Sequence, residues 1–397
     1  MNILVSNFGR QHASRLLLAL EQKGWLTAFY TALATEKLPQ QVLPQIWQKA
    51  LRKRAFSGIP IQKIEHFPVL FLLERALRSL LPGISRTTGD WFDRHVASRL
   101  EKVRPDLVLT YENTNRETMR TAKRLGIPTV LDLAQIHHDD ITAYGRWFMS
   151  PEELKEETEV VNPRKAEALQ YTDYVLVLST FAAASMIRHG WPSNRLFTIN
   201  LGIDPQQFTP KEHYPAEGPL RLLFVGTITR RKGLAILLEA CNNLKHLPVE
   251  LTLIGPMSDG SDLVRENAGR FRYLPFLHHD QLAAHYQEAD VFVFPSLLDS
   301  WAQTVMESMA CGTPVIVTEN TGAKDAVYQG GGWVIPANDA SALRSCLLHC
   351  AANRDEIETK GRQAHAIARL YTWEHYYRQI ADALREITRR EHLASEL

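Results

Sequence analysis

Short unbroken apolar runs recur along the chain, each followed by polar residues and then by a stretch in which apolar positions return every three or four residues. Runs of this kind, rich in Val, Ile, Leu and Phe, read as strands buried on both faces of a parallel sheet, and the stretches between them read as crossover helices. The predicted strands cover 3–5, 107–110, 129–133, 174–178 and 196–199, and then 221–225, 251–254, 273–277, 291–294, 315–317 and 333–335. Helices are predicted over 13–20, 234–244, 281–289, 340–351, 354–370 and from Trp373 to the end. One unit is the most sharply drawn: Val291 to Phe294 ends at Pro295, Ser300 with Gln303 three residues later has the form of a capping box, and Gly312 and Pro314 stop the helix before the next strand. The rhythm breaks at Asn200 to Pro205, which is polar, contains Gly202 and has no period. A boundary there divides the chain into an N-terminal domain, 1–201, and a C-terminal domain, 202–373, each a repeat of strand–helix units, and the fold class is α/β.

Composition narrows this picture. An apolar content of 45% over 397 residues is ample for two full cores, and 45 basic against 44 acidic residues leave a net charge of +1, which gives nucleic acid no bulk electrostatic attraction. The four cysteines, Cys241, Cys311, Cys346 and Cys350, read as buried thiols of a reducing compartment, since no second Cys or His pair accompanies Cys346 and Cys350. Met1 to Ser6 has no basic leader and reads as a first strand, and no apolar run approaches the ~20 residues of a spanning helix, so a cytoplasmic protein is expected. Between Leu38 and Ile64 there is no acidic residue, whereas Lys49, Arg52, Lys53, Arg54 and Lys63 are basic, and an apolar segment with Arg75 and Arg78 follows. Residues 49–81 therefore fit either peripheral contact with an anionic membrane or a helical insertion packed on its own domain.

Three constellations suggest chemistry. Asp299 and Glu307 are eight residues apart, roughly 12 Å along a helix, beyond the roughly 5 to 9.5 Å separating the acids of a glycoside hydrolase. That spacing suits the two ends of a long, hydroxyl-rich ligand in the crevice at the strand ends, although a loop acid and a solvated helix acid would look the same. Arg230, Arg231 and Lys232 precede the helix entered at Gly233, so cationic side chains, backbone N–H groups and the helix dipole converge as a pyrophosphate requires, or as a solvated basic turn allows. Asp132, Gln135, His137, His138 and Asp139 follow a strand, where a neutral imidazole beside carboxylates can orient a hydroxyl. The loop holding Gly9 is a weak phosphate signal. Neither Asn7 to His12 nor Gly226 to Gly233 fits the Gly-x-Gly-x-x-Gly turn of a dinucleotide oxidoreductase, and zinc spacings, a Walker A loop and a Gly-x-Ser-x-Gly elbow are absent from the sequence.

Asp299-x7-Glu307 followed by Ser-Met-Ala-Cys-Gly-Thr-Pro-Val-Ile resembles the Glu-x7-Glu signature, with its Glu-Ala-Met-Ala-Cys-Gly-x-Pro-Val-Ile continuation, of the retaining GT-B glycosyltransferases, glycosyltransferase family 4 or glycosyl transferases group 1. The resemblance implies two Rossmann-like, doubly wound parallel-sheet domains facing across a cleft, with the acceptor bound by the first and the nucleotide sugar by the second. The linker Asn200 to Asp204 resembles the family's Asn-Gly-Val-Asp, and Trp373 stands where the family has the Trp that starts the last helix, here 374–397, which packs back on the first domain. By the same resemblance Lys232 meets the diphosphate, Asp299 the sugar hydroxyls and Glu307 the ribose. His137 takes the place of a donor-contacting His, because Asp132-Leu-Ala-Gln-Ile-His137 is similar to Glu-Arg-Gly-Ser-Thr-His in one branch.

The catalytic set expected from this is His137, Lys232, Asp299 and Glu307. Donor binding adds Gly9, Thr227 (where the family's Gly-Arg-x4-Lys-Gly has Arg), Arg231, Gly255, Leu277 and the triplet Ser300, Trp301 and Ala302 in place of Gly-Phe-Gly. The implied reaction is metal-independent, retaining transfer from a nucleotide-diphosphate sugar to a hydroxyl of a glycan, glycolipid or small metabolite, with no cofactor. A nucleotide-sugar epimerase or hydrolase of the same fold is one alternative. A sugar-nucleotide-binding subunit without chemistry, suggested by Thr227, is the other.

Overall fold

The computed structural model describes residues 1–9, 11–37, 54–77, 80–81, 83–244 and 247–395. The N-terminal sheet consists of β1 (Ile3–Asn7), β2 (Leu26–Thr31), β3 (Ile64–His66), β4 (Leu107–Tyr111), β5 (Thr129–Leu133), β6 (Tyr174–Val177) and β7 (Leu196–Thr198), in the order 3-2-1-4-5-6-7. The C-terminal sheet consists of β8 (Leu220–Val225), β9 (Val249–Ile254), β10 (Arg272–Leu274), β11 (Val291–Phe294), β12 (Val315–Thr318) and β13 (Gly332–Ile335), in the order 10-9-8-11-12-13. Every pairing is parallel. This is the two-domain Rossmann-like architecture expected from the sequence, and β1, β4, β5, β6, β11 and β12 are buried along their whole length, as their unbroken apolar runs require.

In each sheet the strand order reverses beside the first strand, between β1 and β4 and between β8 and β11. Side chains cannot fill the crevice where successive crossovers leave to opposite faces, so a ligand site forms at the carboxyl ends there. The loops after β1, β8 and β11 are therefore placed to build a site by topology alone.

The chain crosses into the second domain and returns at neighbouring points: Ile203 forms a parallel bridge with Thr372, its N–H donating to Tyr371 O at 2.8 Å. Beyond it the helix Trp373–Ser395 lays Tyr376, Ile380, Leu384 and Ile387 into the N-terminal core with Ile3, Leu107 and Val130.

Two strands and one long helix escape the apolar pattern. β3 is a three-residue edge strand, β2 is only partly buried, and the helix Ile84–Val103 is polar over most of its surface. β10 is shorter than the expected 273–277 because Pro275, lacking an N–H, follows Leu274 and cannot extend the ladder.

No helix among the described residues is long and apolar enough to cross a membrane. The helix Pro68–Leu77 has no buried residue and exposes Val69, Leu72 and Leu73, while Phe67 and Leu70 pack on the N-terminal core. Lys49, Arg52, Lys53 and Arg78 lie outside the described residues.

Candidate functional site

A cavity of about 730 Å³ lies between the domains, within the ~300–1,000 Å³ usual for small-molecule sites. Gln11, His12, Arg15 and Ala134, which follow β1 and β5, line it from one side. Thr227, Arg231, Lys232, Asp299, Trp301 and Glu307, which follow β8 and β11, line it from the other.

The basic turn is shaped by its neighbours in sequence. The Thr229 side chain accepts from Lys232 N at 3.3 Å and closes a single tight turn over Arg230–Lys232. Gly233 follows with φ 75°, and a Cβ there would lie 1.8 Å from the carbonyl oxygen of Pro295. Only glycine permits that approach, which presses the turn against the loop after β11. The Lys232 ammonium consequently pairs with the Asp299 carboxylate, and it sits 4.7 Å from the centroid of the Phe294 ring. Arg230 is engaged by Asp262, whereas Arg231 donates to Leu298 O at 2.7 Å and lines the cavity. Of the two arginines able to replace the charge missing at Thr227, Arg231 is therefore the one in the cleft.

The pair is largely buried, each side chain 14% exposed. Burial draws Lys232 below the usual lysine range against the pull of Asp299. Burial also opposes ionisation of Asp299, but the charges of Lys232 and Arg231 outweigh it and hold the carboxyl below its ordinary value. The pair faces a cavity of small-molecule size.

Two expectations for the loop after β11 need correction. The helix begins at Gln303, and its N-cap is not Ser300 but Ala302, in the left-handed region, φ 71°, with no side-chain cap. The Ser300–Gln303 capping box is absent because both side chains are engaged elsewhere, Ser300 across the domains and Gln303 at the linker. Ser300 Oγ donates to Ala134 O of the N-terminal domain, and Gln303 Nε2 donates to Gly202 O at 2.7 Å. Asp299 thus stands on a loop, where its Oδ1 accepts from Trp301 N at 3.1 Å, so helical rise does not measure its distance from Glu307. Glu307 is not a solvated helix acid. It is 3% exposed, and its Oε2 accepts from the Tyr286 hydroxyl at 2.9 Å. Burial pushes its pKa up to about 7, against the lowering effect of that hydrogen bond. Trp301 and Gln303 also line the cavity, and their Nε1 and Oε1 atoms are buried without a hydrogen-bond partner among the described residues.

Of the residues singled out from sequence, Thr227, Arg231, Lys232, Asp299, Ser300, Trp301, Ala302 and Glu307 line this one cavity, and Gly9, His137, Gly255 and Leu277 do not. Gly255 packs against the carbonyl of Gly226, and Leu277 lies past the end of β10. His137 caps the helix His138–Gly145, its side chain accepting from Asp139 N at 3.3 Å. Its ring is stacked between His138, 4.0 Å away, and His189, 4.2 Å away. Burial, reinforced by His138 and His189, lowers its pKa to about 4, so it is neutral at physiological pH.

Among the described residues, His137, Asp139 and His189 bring ligand atoms within 4.8 Å of one another. The rings of His137 and His189 stack nearly parallel, at 10°. Cys311 and Cys350 are buried and Cys241 and Cys346 only partly so, and all four are free thiols.

The imidazole in the cavity is His12, whose Nε2 is 2.8 Å from Asp132 Oδ2. Its sequence signal was slight: a histidine at the end of the polar loop after β1, twelve residues into the chain and 120 residues from its partner.

Residues 219–353 match the family model described as Glycosyl transferases group 1. The amylovoran biosynthesis glycosyltransferase AmsK of Erwinia amylovora is 28% identical over 237 residues, 54% of this chain and 56% of that protein. A D-inositol 3-phosphate glycosyltransferase of Geodermatophilus obscurus is 32% identical over 221 residues, 48% of each chain. The chain spans about half the length of these curated relatives.

Among solved structures, sucrose-phosphate synthase from Thermosynechococcus elongatus superposes with a TM-score of 0.70 at 21% identity, covering 98% of this chain and 99% of that one. HepE of Anabaena, in complex with UDP, gives 0.66 at 16% identity, covering 97% and 100%. These likenesses bear on the fold.

Proposed function

We propose that this chain, whose C-terminal domain is a glycosyl transferases group 1 domain, transfers a sugar from a nucleoside diphosphate sugar to a hydroxyl acceptor across the cleft, with retention and without a metal. The observation that carries the reading is the buried Lys232–Asp299 pair, with Arg231 beside it, in the wall of a cavity at the switch point. As the bond from the sugar C1 to the phosphate oxygen breaks, negative charge builds on the diphosphate. Lys232 and Arg231, fixed before the reaction, stabilise that charge without reorganising. Asp299, held by Lys232 and Trp301 N, accepts from sugar hydroxyls, and Glu307 meets the ribose. With a pKa of about 7, Glu307 is able both to accept and to donate to a vicinal diol. Among the described residues lining the cavity, the carboxylate of Asp299 is held by Lys232 and Trp301 N and that of Glu307 by Tyr286, which supports front-face attack by the acceptor on the side the phosphate leaves over a covalent intermediate.

UDP is the first donor nucleotide to test, because the HepE structure holds it. The acceptor belongs to the wall built from the loops after β1 and β5. The exposed apolar row of Val69, Leu72 and Leu73 supports contact of this domain with a bilayer surface carrying a lipid-linked acceptor.

The test is a thermal-shift screen of UDP-, GDP- and ADP-sugars against the full chain. A nucleotide at 100 times its dissociation constant adds about 2.7 kcal/mol of stability, and Lys232→Ala removes that gain. Retention of the full shift by Lys232→Ala refutes the phosphate assignment.

A further inference from the structure

The wall facing Lys232 holds an imidazole that the reading above leaves unused. His12 lies between β1 and the helix Ala13–Gln22, at the N-cap position, yet its side chain caps nothing. It is held instead by Asp132 at the carboxyl end of β5, Nε2 to Oδ2 at 2.8 Å, with the two side chains 8% and 2% exposed. Two rings set its plane, both in edge contact: Tyr111 with centroids 5.5 Å apart and Tyr376 at 6.4 Å. The anchors come from β4, β5 and the final helix, so three separately placed elements fix one imidazole at the cleft.

Asp132 also settles which nitrogen is free. A buried carboxylate accepts, so in the neutral ring Nε2 carries the hydrogen and Nδ1 is left as a bare acceptor. Nδ1 has no partner among the described residues, and the ring lines the cavity opposite Lys232, Asp299 and Glu307. A side chain nine-tenths buried, oriented by a carboxylate and with its second nitrogen unused beside a ligand cavity, has the arrangement of a general base.

We propose that His12, oriented by Asp132, binds the acceptor's attacking hydroxyl and takes its proton. The inference rests on the nucleotide-sugar reading. In the step, the acceptor O–H bond breaks. Its proton passes to Nδ1, and its electron pair forms the new bond to the sugar C1. The bond from C1 to the phosphate oxygen breaks, its electron pair departing on the diphosphate towards Lys232 and Arg231. The imidazolium so formed is stabilised by Asp132 and returns its proton to solvent when product leaves. In front-face attack the departing phosphate is itself able to receive this proton; here His12 receives it from the opposite wall. Asp132 acts through His12 and is a positioning residue.

The test needs no knowledge of the acceptor, because water is the smallest hydroxyl donor. The full chain is incubated with UDP-glucose, UDP-galactose and GDP-mannose, and release of free sugar is followed from pH 5 to pH 9, with UDP-induced thermal stabilisation recorded in parallel. For the donor that is turned over, His12→Gln is expected to lose about 10²–10⁴-fold in kcat, to lose the acid limb of the pH profile and to keep the nucleotide-induced shift. Added imidazole is expected to restore part of the rate in His12→Ala, which a merely structural role would not produce. Asp132→Asn is expected to lower kcat with little change in KM for the donor.

A His12→Gln rate within threefold of wild type with an unchanged pH profile overturns the proposal while leaving the donor site standing. Wild-type protein that neither binds nucleotide nor consumes any of the three donors overturns the donor reading itself, and the proposal with it.

Discussion

Replacing Glu307 by Gln separates the binding role of that carboxyl from its effect on folding. Glu307 is 3% exposed, and its pKa is about 7 against an ordinary 4.5, with burial as the leading cause. A gap of about 2.5, at about 1.36 kcal/mol each, corresponds to about 3 kcal/mol of destabilisation once the group is fully ionised in the folded protein. The sign follows from proton binding. The folded state holds the proton more tightly than the unfolded chain, so this part of the stability is intact below pH 4.5 and is lost as the pH rises towards 7. Gln is nearly isosteric, cannot ionise and still offers an oxygen to the Tyr286 hydroxyl, so Glu307→Gln removes the loss without opening a cavity.

The variant is therefore expected to gain on wild type by about 2–3 kcal/mol between pH 5 and pH 8 in paired urea titrations, while binding UDP more weakly. Pairing the two proteins at each pH cancels every other titrating group. A difference that stays constant within about 0.5 kcal/mol across that range refutes the reasoning, because the carboxyl then does not ionise in a dry site.

Ala302 occupies a left-handed position, φ 71°, where an L side chain costs roughly 1–2 kcal/mol, so Ala302→Gly is expected to raise the urea midpoint by an amount equivalent to ~0.5–1 kcal/mol after the entropy of glycine is counted. Gly233→Ala has no such freedom. Its β-carbon would meet the Pro295 carbonyl at 1.8 Å, and circular dichroism melts are expected to show destabilisation of several kcal/mol together with loss of UDP binding. Ser300→Ala removes the hydroxyl that donates to Ala134 O between the domains, worth about 1 kcal/mol, and small-angle scattering of the free protein is expected to show a more open molecule; an unchanged profile counts against that contact as a latch.

Much of this protein was legible from one dimension. Apolar runs too short for helices and too continuous for an exposed sheet face specified buried parallel strands, and strands whose burial is complete, such as β5, β11 and β12, were placed to within a residue. Lys232, Asp299 and Glu307 could be singled out from the basic turn before Gly233 and the eight-residue spacing of the two acids, with their roles implied by the resemblance to the Glu-x7-Glu signature. The edge strand β3 and the long polar helix Ile84–Val103 left no mark, since an element exposed on one side needs few apolar residues to hold it.

What the tertiary structure decided is everything that depends on two distant segments meeting. Local spacing made Ser300 a helix cap, but the hydroxyl found a carbonyl in the other domain, and the cap lies two residues later, at Ala302. Local charge left Arg230 and Arg231 equivalent until Asp262 engaged one of them. The family resemblance pointed to His137, whose ring stacks between two other imidazoles, while His12 carried no local signal because its partner Asp132 is 120 residues distant. Sequence periodicity records which residues must leave water, and that demand is met element by element. The contacts that set the direction and charge state of a polar side chain are made only after the elements have packed.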